Sequence, residues 1–183
     1  KLTAQIKLLP SPEQASALRK TLEVANTACN YVSNQAWENK TFRQFPLHKL
    51  TYRDVRDMFQ LTAQVVVRVI SKVADAYKID RKVKRTFKPH GAIAFDNRIL
   101  SYKLESKEVS IWTVDGRQRI PFSAGKRQLE LLSGQRGESD LCYVKGKFYL
   151  FATCDVETPK PVDVEGYLGV DLGVKNIAKR III

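Results

Sequence analysis

The chain has 183 residues, of which 44% are apolar and 27% are charged, so it can bury a core and does not have the composition of a disordered chain. Its net charge of +12 favours a polyanionic partner. No apolar run approaches the roughly 18 residues of a membrane span, so we expect no membrane partner. The three cysteines lie far apart, which argues against a disulfide framework or a zinc site and fits a reducing cytoplasm.

The positive charge is concentrated in one part of the chain. Residues 11–88 contain 15 Lys and Arg against 7 Asp and Glu, whereas residues 89–164 contain 11 against 10. A polyphosphate-binding face is therefore expected mainly within residues 11–88.

The first elements follow from periodicity and capping. Apolar residues alternate over residues 2–8, which predicts a half-buried strand. Ser11 then serves as the N-cap of a helix, with Pro12 in the first helical position and Gln14 completing a capping box. An apolar stripe with steps of three and four predicts that this helix continues to about Trp37.

The next region predicts two more helices. Residues 39–50, interrupted by Pro46, are expected to form a loop, and residues 51–54 resemble a second capping motif that opens a short helix. A third helix is expected over residues 62–82. Its predicted buried residues are Ala63, Val66, Val67, Ile70, Val73, Ala74 and Tyr77.

From Pro89 onwards the pattern is typical of strands. The expected strands are 92–95, 99–104, 109–114, 117–122, 141–144 and 148–156, with hairpin turns at Asp115-Gly116 and Lys145-Gly146-Lys147. A stiff linker at 158–161 precedes another apolar strand. A single N-terminal strand is hard to stabilise unless it pairs with later ones, so we expect an antiparallel β-barrel whose first strand is separated from the rest by a helical insertion.

One phrase near the C-terminus resembles a known family. Gly169-Val-Asp-Leu-Gly-Val-Lys-Asn-Ile-Ala178 is similar to the first RuvC motif of the OrfB/TnpB insertion-sequence proteins, which are RNA-guided DNA nucleases ancestral to the type V CRISPR effectors. Further segments resemble that family in the same order. They are Leu8-Leu-Pro-Ser-Pro-Glu-Gln14, Tyr52-Arg-Asp-Val-Arg56, Ser71-Lys-Val-Ala-Asp-Ala-Tyr-Lys78, Asp115-Gly-Arg117, Ile120-Pro121, Asp140-Leu-Cys-Tyr143 and Gly146-Lys-Phe-Tyr-Leu150.

The resemblance implies an α+β architecture. A wedge β-barrel would comprise residues 1–10 and 89–158, and a recognition insert of about three helices would comprise residues 11–88. A linker at 159–165 would lead into residues 166–183, the start of a RuvC (RNase H-like) domain with its first strand.

Asp171 is the one candidate catalytic residue and metal ligand. A buried carboxylate requires a cationic partner, and Mg²⁺ is the usual one in phosphodiester chemistry. The alternative is an Asp that caps the turn before Gly173. The family's RuvC site uses three acids, and only the first has a counterpart in this sequence, which also lacks the family's zinc-binding cysteine clusters. The complete protein is thus expected to be a Mg²⁺-dependent endonuclease, and these 183 residues alone to be inactive.

A dense basic run is the main candidate for nucleic-acid contact. It consists of Lys78, Arg81, Lys82, Lys84, Arg85 and Lys88. The alternative is a solvated helix end, where cations favour the C-terminal dipole, but that accounts for two or three cations rather than six. Contacts of this kind would bind phosphates without reading sequence.

The resemblance implies two further sets of contacts, to a guide RNA and to a short motif that flanks the target DNA. Tyr52, Arg53, Arg56 and Gln64 are candidates for reading base edges, and Arg117 and Arg119 for contacting the RNA backbone. In the alternative interpretation, Tyr52, Arg53 and Arg56 only cover the core and pair with Asp54 and Asp57.

Three other functions stay open. A nuclease-inactive TnpB descendant would be an RNA-guided DNA-binding protein or an RNA chaperone. A generic basic RNA-binding barrel would explain the charge but would leave the Gly169–Gly173 phrase as coincidence. A strand-transfer transposase would require a nucleophilic Tyr within a His-containing motif, which is not found.

Overall fold

The computed structural model describes residues 1–157 together with residues 168–171 and 179–182. Within these residues the protein is α+β, with four helices and two antiparallel sheets. The elements are β1 Leu2–Leu8, α1 Pro12–Glu38, α2 Gln44–Phe59, α3 Ala63–Ile79, β2 Ile93–Phe95, β3 Leu100–Lys103, β4 Glu108–Thr113, β5 Gly116–Ser123, α4 Lys126–Ser133, β6 Gln135–Val144, β7 Lys147–Cys154, β8 Leu168–Asp171 and β9 Lys179–Ile182.

The larger sheet is a nearly closed barrel of seven strands. Its order is β2-β6-β7-β1-β5-β4-β3, so β1 lies in the middle and pairs with both β5 and β7. The edge strands β2 and β3 are joined by the short turn at residues 96–99, and the Tyr102 hydroxyl of β3 donates to Ser139 Oγ of β6 at 2.9 Å. The predicted barrel, with its first strand separated by three inserted helices, is confirmed.

The start of α1 matches the capping box in the sequence. Gln14 N–H donates to the Ser11 hydroxyl, the Gln14 side chain accepts from Ser11 N–H, and Pro12 occupies the first turn. The apolar stripe of α1 is buried through Ala36. Buried side chains of the helices and the barrel form a single apolar cluster.

The capping box provides a test of how strongly the helix start is specified. We expect Ser11→Ala to lower the free energy of unfolding by about 1 kcal/mol, because the backbone N–H of Gln14 loses its acceptor, the Ser11 hydroxyl. Urea denaturation of the two proteins measures the difference. Ser16→Ala, an exposed change inside the same helix, is the control and should be close to neutral. Equal losses for the two variants would contradict a capping role.

The predicted boundaries of α2 were wrong. Residues 44–50 are helical rather than a loop, and Thr51 lies inside the helix, buried, with its hydroxyl donating to Leu47 O at 2.8 Å. Pro46 is compatible with this because it lies in the first turn, where its missing N–H would have no intrahelical partner. The capping-like pattern at Thr51 therefore reflects a hydroxyl satisfied by the carbonyl four residues earlier.

Two smaller differences concern α3 and α4. Helix α3 ends at Ile79 rather than at residue 82, and Val65 and Val69 are buried in place of the expected Ala63 and Val67. The short helix α4 was not predicted. Only Leu132 of its eight residues is fully buried, so its apolar pattern was too short to recognise. Across the described residues, no helix is long and apolar enough to cross a membrane.

The second sheet is a two-stranded hairpin. Strand β8 pairs antiparallel with β9, and Asp171, the last residue of β8, lies opposite Lys179. The Asp171 side chain, the predicted linker at 159–165 and, of the predicted RuvC segment, residues 166–167, 172–178 and 183 lie outside the described residues.

Candidate nucleic-acid interface

The predicted basic run begins with Lys78 in the last turn of α3, continues beyond the helix, and lies largely at the surface. Five of its six cations are exposed. Lys78 forms an ion pair with Asp75, with 2.6 Å between Nζ and Oδ1. Arg81, Lys82, Lys84 and Lys88 form no ion pair within the part of the chain that the structure describes.

Arg85 has a structural role instead. Its Nε and Nη2 atoms donate to Asp80 O at 3.2 and 3.0 Å, and Nη2 lies 3.4 Å from the Asp80 carboxylate. Its backbone N–H donates to the hydroxyl of the buried Tyr77 at 3.2 Å. Arg85 therefore fixes the turn that leaves α3, and it is less available to a phosphate than its neighbours.

A row of polar side chains on α1 holds residues 85–91 in place. Asn26 Nδ2 donates to Pro89 O at 3.2 Å and to Gly91 O at 2.8 Å. Asn30 both donates to Phe87 O at 2.9 Å and accepts from Phe87 N–H at 2.8 Å. Ser33 Oγ donates to Arg85 O at 2.6 Å. We call these three side chains the α1 ladder.

The α1 ladder can form because the spacing of its side chains along the helix is close to the spacing of alternate residues in the extended segment. The four residues of helix from Asn26 to Asn30 rise about 6 Å, close to the 6.6 Å or so that two residues of extended chain span, and the three residues from Asn30 to Ser33 rise about 4.5 Å. Every second residue of the segment therefore meets α1, and the side chains at 84, 86, 88 and 90 remain exposed. This arrangement leaves Lys84 and Lys88 exposed to solvent.

A half-buried cation completes the attachment. Lys72 Nζ of α3 donates to Asn26 Oδ1 at 2.7 Å and to Ala92 O at 2.8 Å, and it lies 5.1 Å from the centre of the Phe87 ring. Burial lowers the pKa of the Lys72 ammonium, partly offset by nearby acidic groups that include Asp140. Lys72 is therefore committed to joining α3, α1 and the barrel.

Helix α2 presents a mixed aromatic and basic face. The rings of His48 and Tyr52 stack at 4.6 Å, and Arg53 and Arg56 are exposed. The Phe45 ring is 72% exposed at the start of the helix. Residues 45, 48, 52 and 56 follow helical spacing, so planar rings and guanidinium groups share one side of α2. Such a surface can stack on bases and donate to base edges.

The expected partners of these arginines are engaged elsewhere or exposed. Asp54 accepts from the Tyr31 hydroxyl at 2.9 Å, and within the described residues neither Arg53 nor Arg56 forms an ion pair. The alternative in which they pair with Asp54 and Asp57 therefore has no support from the described contacts.

Gln64 lies in a different place from the rest of its predicted group. Its amide donates to the Asp96 carboxylate, which also accepts from Arg98 N–H and Nη2 at 3.0 Å. Asp96 lines a polar hollow of about 430 Å³ between α3 and the barrel. The other lining residues are Arg68, Asn97, Arg98, Gln135, Arg136, Gly137 and Glu138.

The two predicted arginines of β5 lie on its exposed side. Arg117 Nη2 donates to Arg98 O at 2.9 Å, and its Nη1 donates to Ser110 Oγ at 3.2 Å. Arg117 thus lies beside the polar hollow that Gln64 borders through Asp96. Arg119 is exposed one step further along the strand, where its carbonyl accepts from Gln14 at 2.9 Å.

The structure therefore distributes the predicted contact residues over three surfaces: the segment after α3, the outer face of α2, and the rim of the polar hollow. The α1 ladder was not predicted from the sequence. Its side chains recur at steps of four and three beside an apolar stripe, at Asn26, Asn30 and Ser33. Such a pattern of polar side chains on a half-buried helix is typical of hydrogen bonding to the backbone of a neighbouring segment.

No complete metal site is found among the residues that the structure describes. None of the groups of His, Cys, Asp and Glu side chains there has the three members needed to hold an ion. Asp171 is a single carboxylate, which does not by itself fit a magnesium site for phosphodiester cleavage.

Comparison with known proteins adds no relative. No family model matches the chain, and no curated protein matches it.

Proposed function

We propose that the chain is the N-terminal nucleic-acid-binding portion of a TnpB-like, RNA-guided DNA endonuclease associated with transposons. The observation that carries the proposal is topological. Three helices are inserted between β1 and β2, while β1 forms the middle strand of the barrel. That arrangement is what the resemblance implies for a wedge barrel with a recognition insert, and the Gly169–Gly173 phrase supports it independently.

The three surfaces would divide the work of binding. The cations after α3 neutralise phosphates of the guide RNA and give affinity that depends on salt. The aromatic and basic face of α2, together with Gln64, contacts the short motif that flanks the target DNA, while Arg117 and Arg119 of β5 contact the RNA backbone. Base pairing with the guide supplies the sequence specificity, so the protein needs to recognise only shape, backbone and that motif.

In the complete protein, Asp171 would be one ligand of Mg²⁺ in a RuvC site that hydrolyses phosphodiesters. The two other acids implied by the resemblance have no counterpart in these 183 residues. We therefore assign nucleic-acid binding, and no catalytic step, to the 183 residues. The proposed setting is the cytoplasm, where the guide RNA is made.

The identity of the bound RNA tests this proposal. We expect the chain, expressed in its native host and purified, to carry one structured RNA that is enriched over total RNA and retained through a wash at moderate salt. RNA sequencing before and after the wash measures the enrichment. Lys84→Gln with Lys88→Gln, prepared in parallel, should carry less of the same RNA.

The rival functions give other results. Bulk ribosomal RNA that is removed by moderate salt would contradict a guide-binding role and would indicate a generic basic RNA-binding protein. A single enriched RNA whose 3′ part matches a promoter rather than a transposon boundary would favour the nuclease-inactive, RNA-guided DNA-binding protein.

A further inference from the structure

We infer that the hollow at the N-terminus of α2 is a phosphate-binding site. Its volume is about 220 Å³. Its lining residues, which define what we call the α2 hollow, are Lys40, Thr41, Phe42, Arg43, Pro46 and Arg81. The inference rests on the proposed nucleic-acid function and adds a binding site that includes Lys40 and Arg43, two residues outside the predicted set.

Three cations line this hollow without an acidic residue. Lys40 and Arg43 come from the connection between α1 and α2, and Arg81 comes from the segment after α3. All three are exposed, and none forms an ion pair with another described residue. Like charges brought together in this way repel one another, so an anion placed between them would be stabilised by all three.

Aromatic packing fixes the position of the cations. Lys40 has a positive φ of 50° at the end of α1, and its Nζ lies 4.3 Å from the centre of the Trp37 ring. Trp37 packs on Phe42 at 6.4 Å, and Phe42 packs on the buried Tyr77 at 4.7 Å. The lysine is therefore held by a cation–π contact over a rigid aromatic floor rather than moving freely in solvent.

The backbone adds to the same field. Arg43 is the N-cap of α2 but makes no side-chain capping hydrogen bond, and the first turn contains no acidic residue. The first N–H groups of this 16-residue helix and its dipole consequently point their positive end toward the hollow without a side-chain acceptor. A phosphate oxygen is a suitable acceptor at such a position, alongside guanidinium donors.

The site continues the exposed basic run. Arg81 is both a wall of the α2 hollow and the first of the exposed cations Arg81, Lys82, Lys84 and Lys88. A nucleic-acid strand that follows those cations reaches the hollow at one end. A backbone phosphate of that strand is therefore the ligand that we assign to it.

Two binding measurements on the full chain test the site. The hollow variant is Lys40→Gln, Arg43→Gln, Arg81→Gln, and the control is Lys103→Gln, Arg127→Gln, Lys147→Gln, which removes the same charge from exposed positions elsewhere. The first measurement is the Kd of a single-stranded RNA oligonucleotide by fluorescence anisotropy over a range of salt. The second is an NMR titration with inorganic phosphate at constant ionic strength, with thermal unfolding as a check on folding.

We expect the hollow variant to raise the RNA Kd at 0.1 M salt about fivefold more than the control, with a salt slope lower by about 0.7, the loss of one phosphate contact. Phosphate should shift the amide signals of residues 42–45 in the wild type and control, but not in the hollow variant. Equal RNA affinities for the two variants together with no phosphate shifts would overturn the site. Phosphate shifts in a wild type that binds no RNA would keep the site as one for free phosphate and would overturn the proposed function instead.

Discussion

Replacing Asn26 with alanine is expected to lower the free energy of unfolding by about 3 kcal/mol. Asn26 is fully buried and makes four hydrogen bonds: it donates to Leu22 O, Pro89 O and Gly91 O, and it accepts from Lys72 Nζ. Alanine has no amide group, so the substitution removes all of these hydrogen bonds at once.

The size of the expected loss of stability comes from the polar groups that are left without a hydrogen-bond partner. The carbonyls of Pro89 and Gly91 lose a donor in a half-buried place, and the Lys72 ammonium keeps only Ala92 O as a hydrogen-bond acceptor among the described contacts. Burial already lowers the pKa of Lys72, so losing an acceptor makes its charged form more costly. Leaving a half-buried charge without one of its acceptors costs more than the net gain from forming the original contact.

Urea denaturation measures the difference, with Asn34→Ala as the matched control. Asn34 is on the same helix but exposed, so its substitution should change stability by no more than about 0.5 kcal/mol. A loss of under 1 kcal/mol for Asn26→Ala, or one equal to the control, would show that the segment after α3 does not depend on α1 for its position.

The parts of the fold that could be predicted are those with a local chemical cause. The strand of residues 2–8 shows a simple alternation, and the start of α1 is fixed by Ser11 and Gln14 within four residues. The start of α2 could not be predicted in the same way. Pro46 is a helix breaker in most positions, and only its place in the first turn makes it harmless.

The candidate interface also has parts that could be predicted from the local sequence and parts that could not. The exposed cations after α3 are recognisable from sequence because clustered Lys and Arg rarely lie in a core. The arrangement of these cations cannot be recognised from sequence. Asn30 and Phe87 are hydrogen-bonded although 57 residues separate them, and Lys40 and Arg81 line the same hollow only when α1, α2 and α3 are packed. Gln64 likewise was predicted as a base reader from the family resemblance, whereas its contact with Asp96 depends on the barrel.

Removing the two cations that the α1 ladder presents is expected to weaken RNA binding strongly. For Lys84→Gln with Lys88→Gln we expect the Kd at 0.1 M salt to rise roughly 20-fold and the salt slope to fall by about 1.4, since each single-strand phosphate contact contributes about 0.7. Both lysines are exposed and have no described ion pair, so the melting temperature should not change. Fluorescence anisotropy with a single-stranded RNA over a range of salt measures both quantities.

The matched control is Lys145→Gln with Lys147→Gln, which removes the same charge from the exposed turn between β6 and β7. This control weakens the positive electrostatic potential of the protein but removes no assigned phosphate contact. We therefore expect its Kd to change within about threefold, from weaker long-range attraction alone. Equal losses in the two double variants would mean that net charge, and not the basic segment, determines the affinity.

A third variant separates the presence of the cations from their placement. Asn30→Ala keeps every lysine and arginine but removes the side chain that both donates to and accepts from Phe87. If the α1 ladder pre-orders the segment, Asn30→Ala should weaken RNA binding several-fold with an unchanged salt slope, because the same phosphates are neutralised at a higher entropic cost. A wild-type affinity in a variant with a destabilised segment would show that the cations bind RNA equally well without the ladder, and that its role is confined to holding the fold.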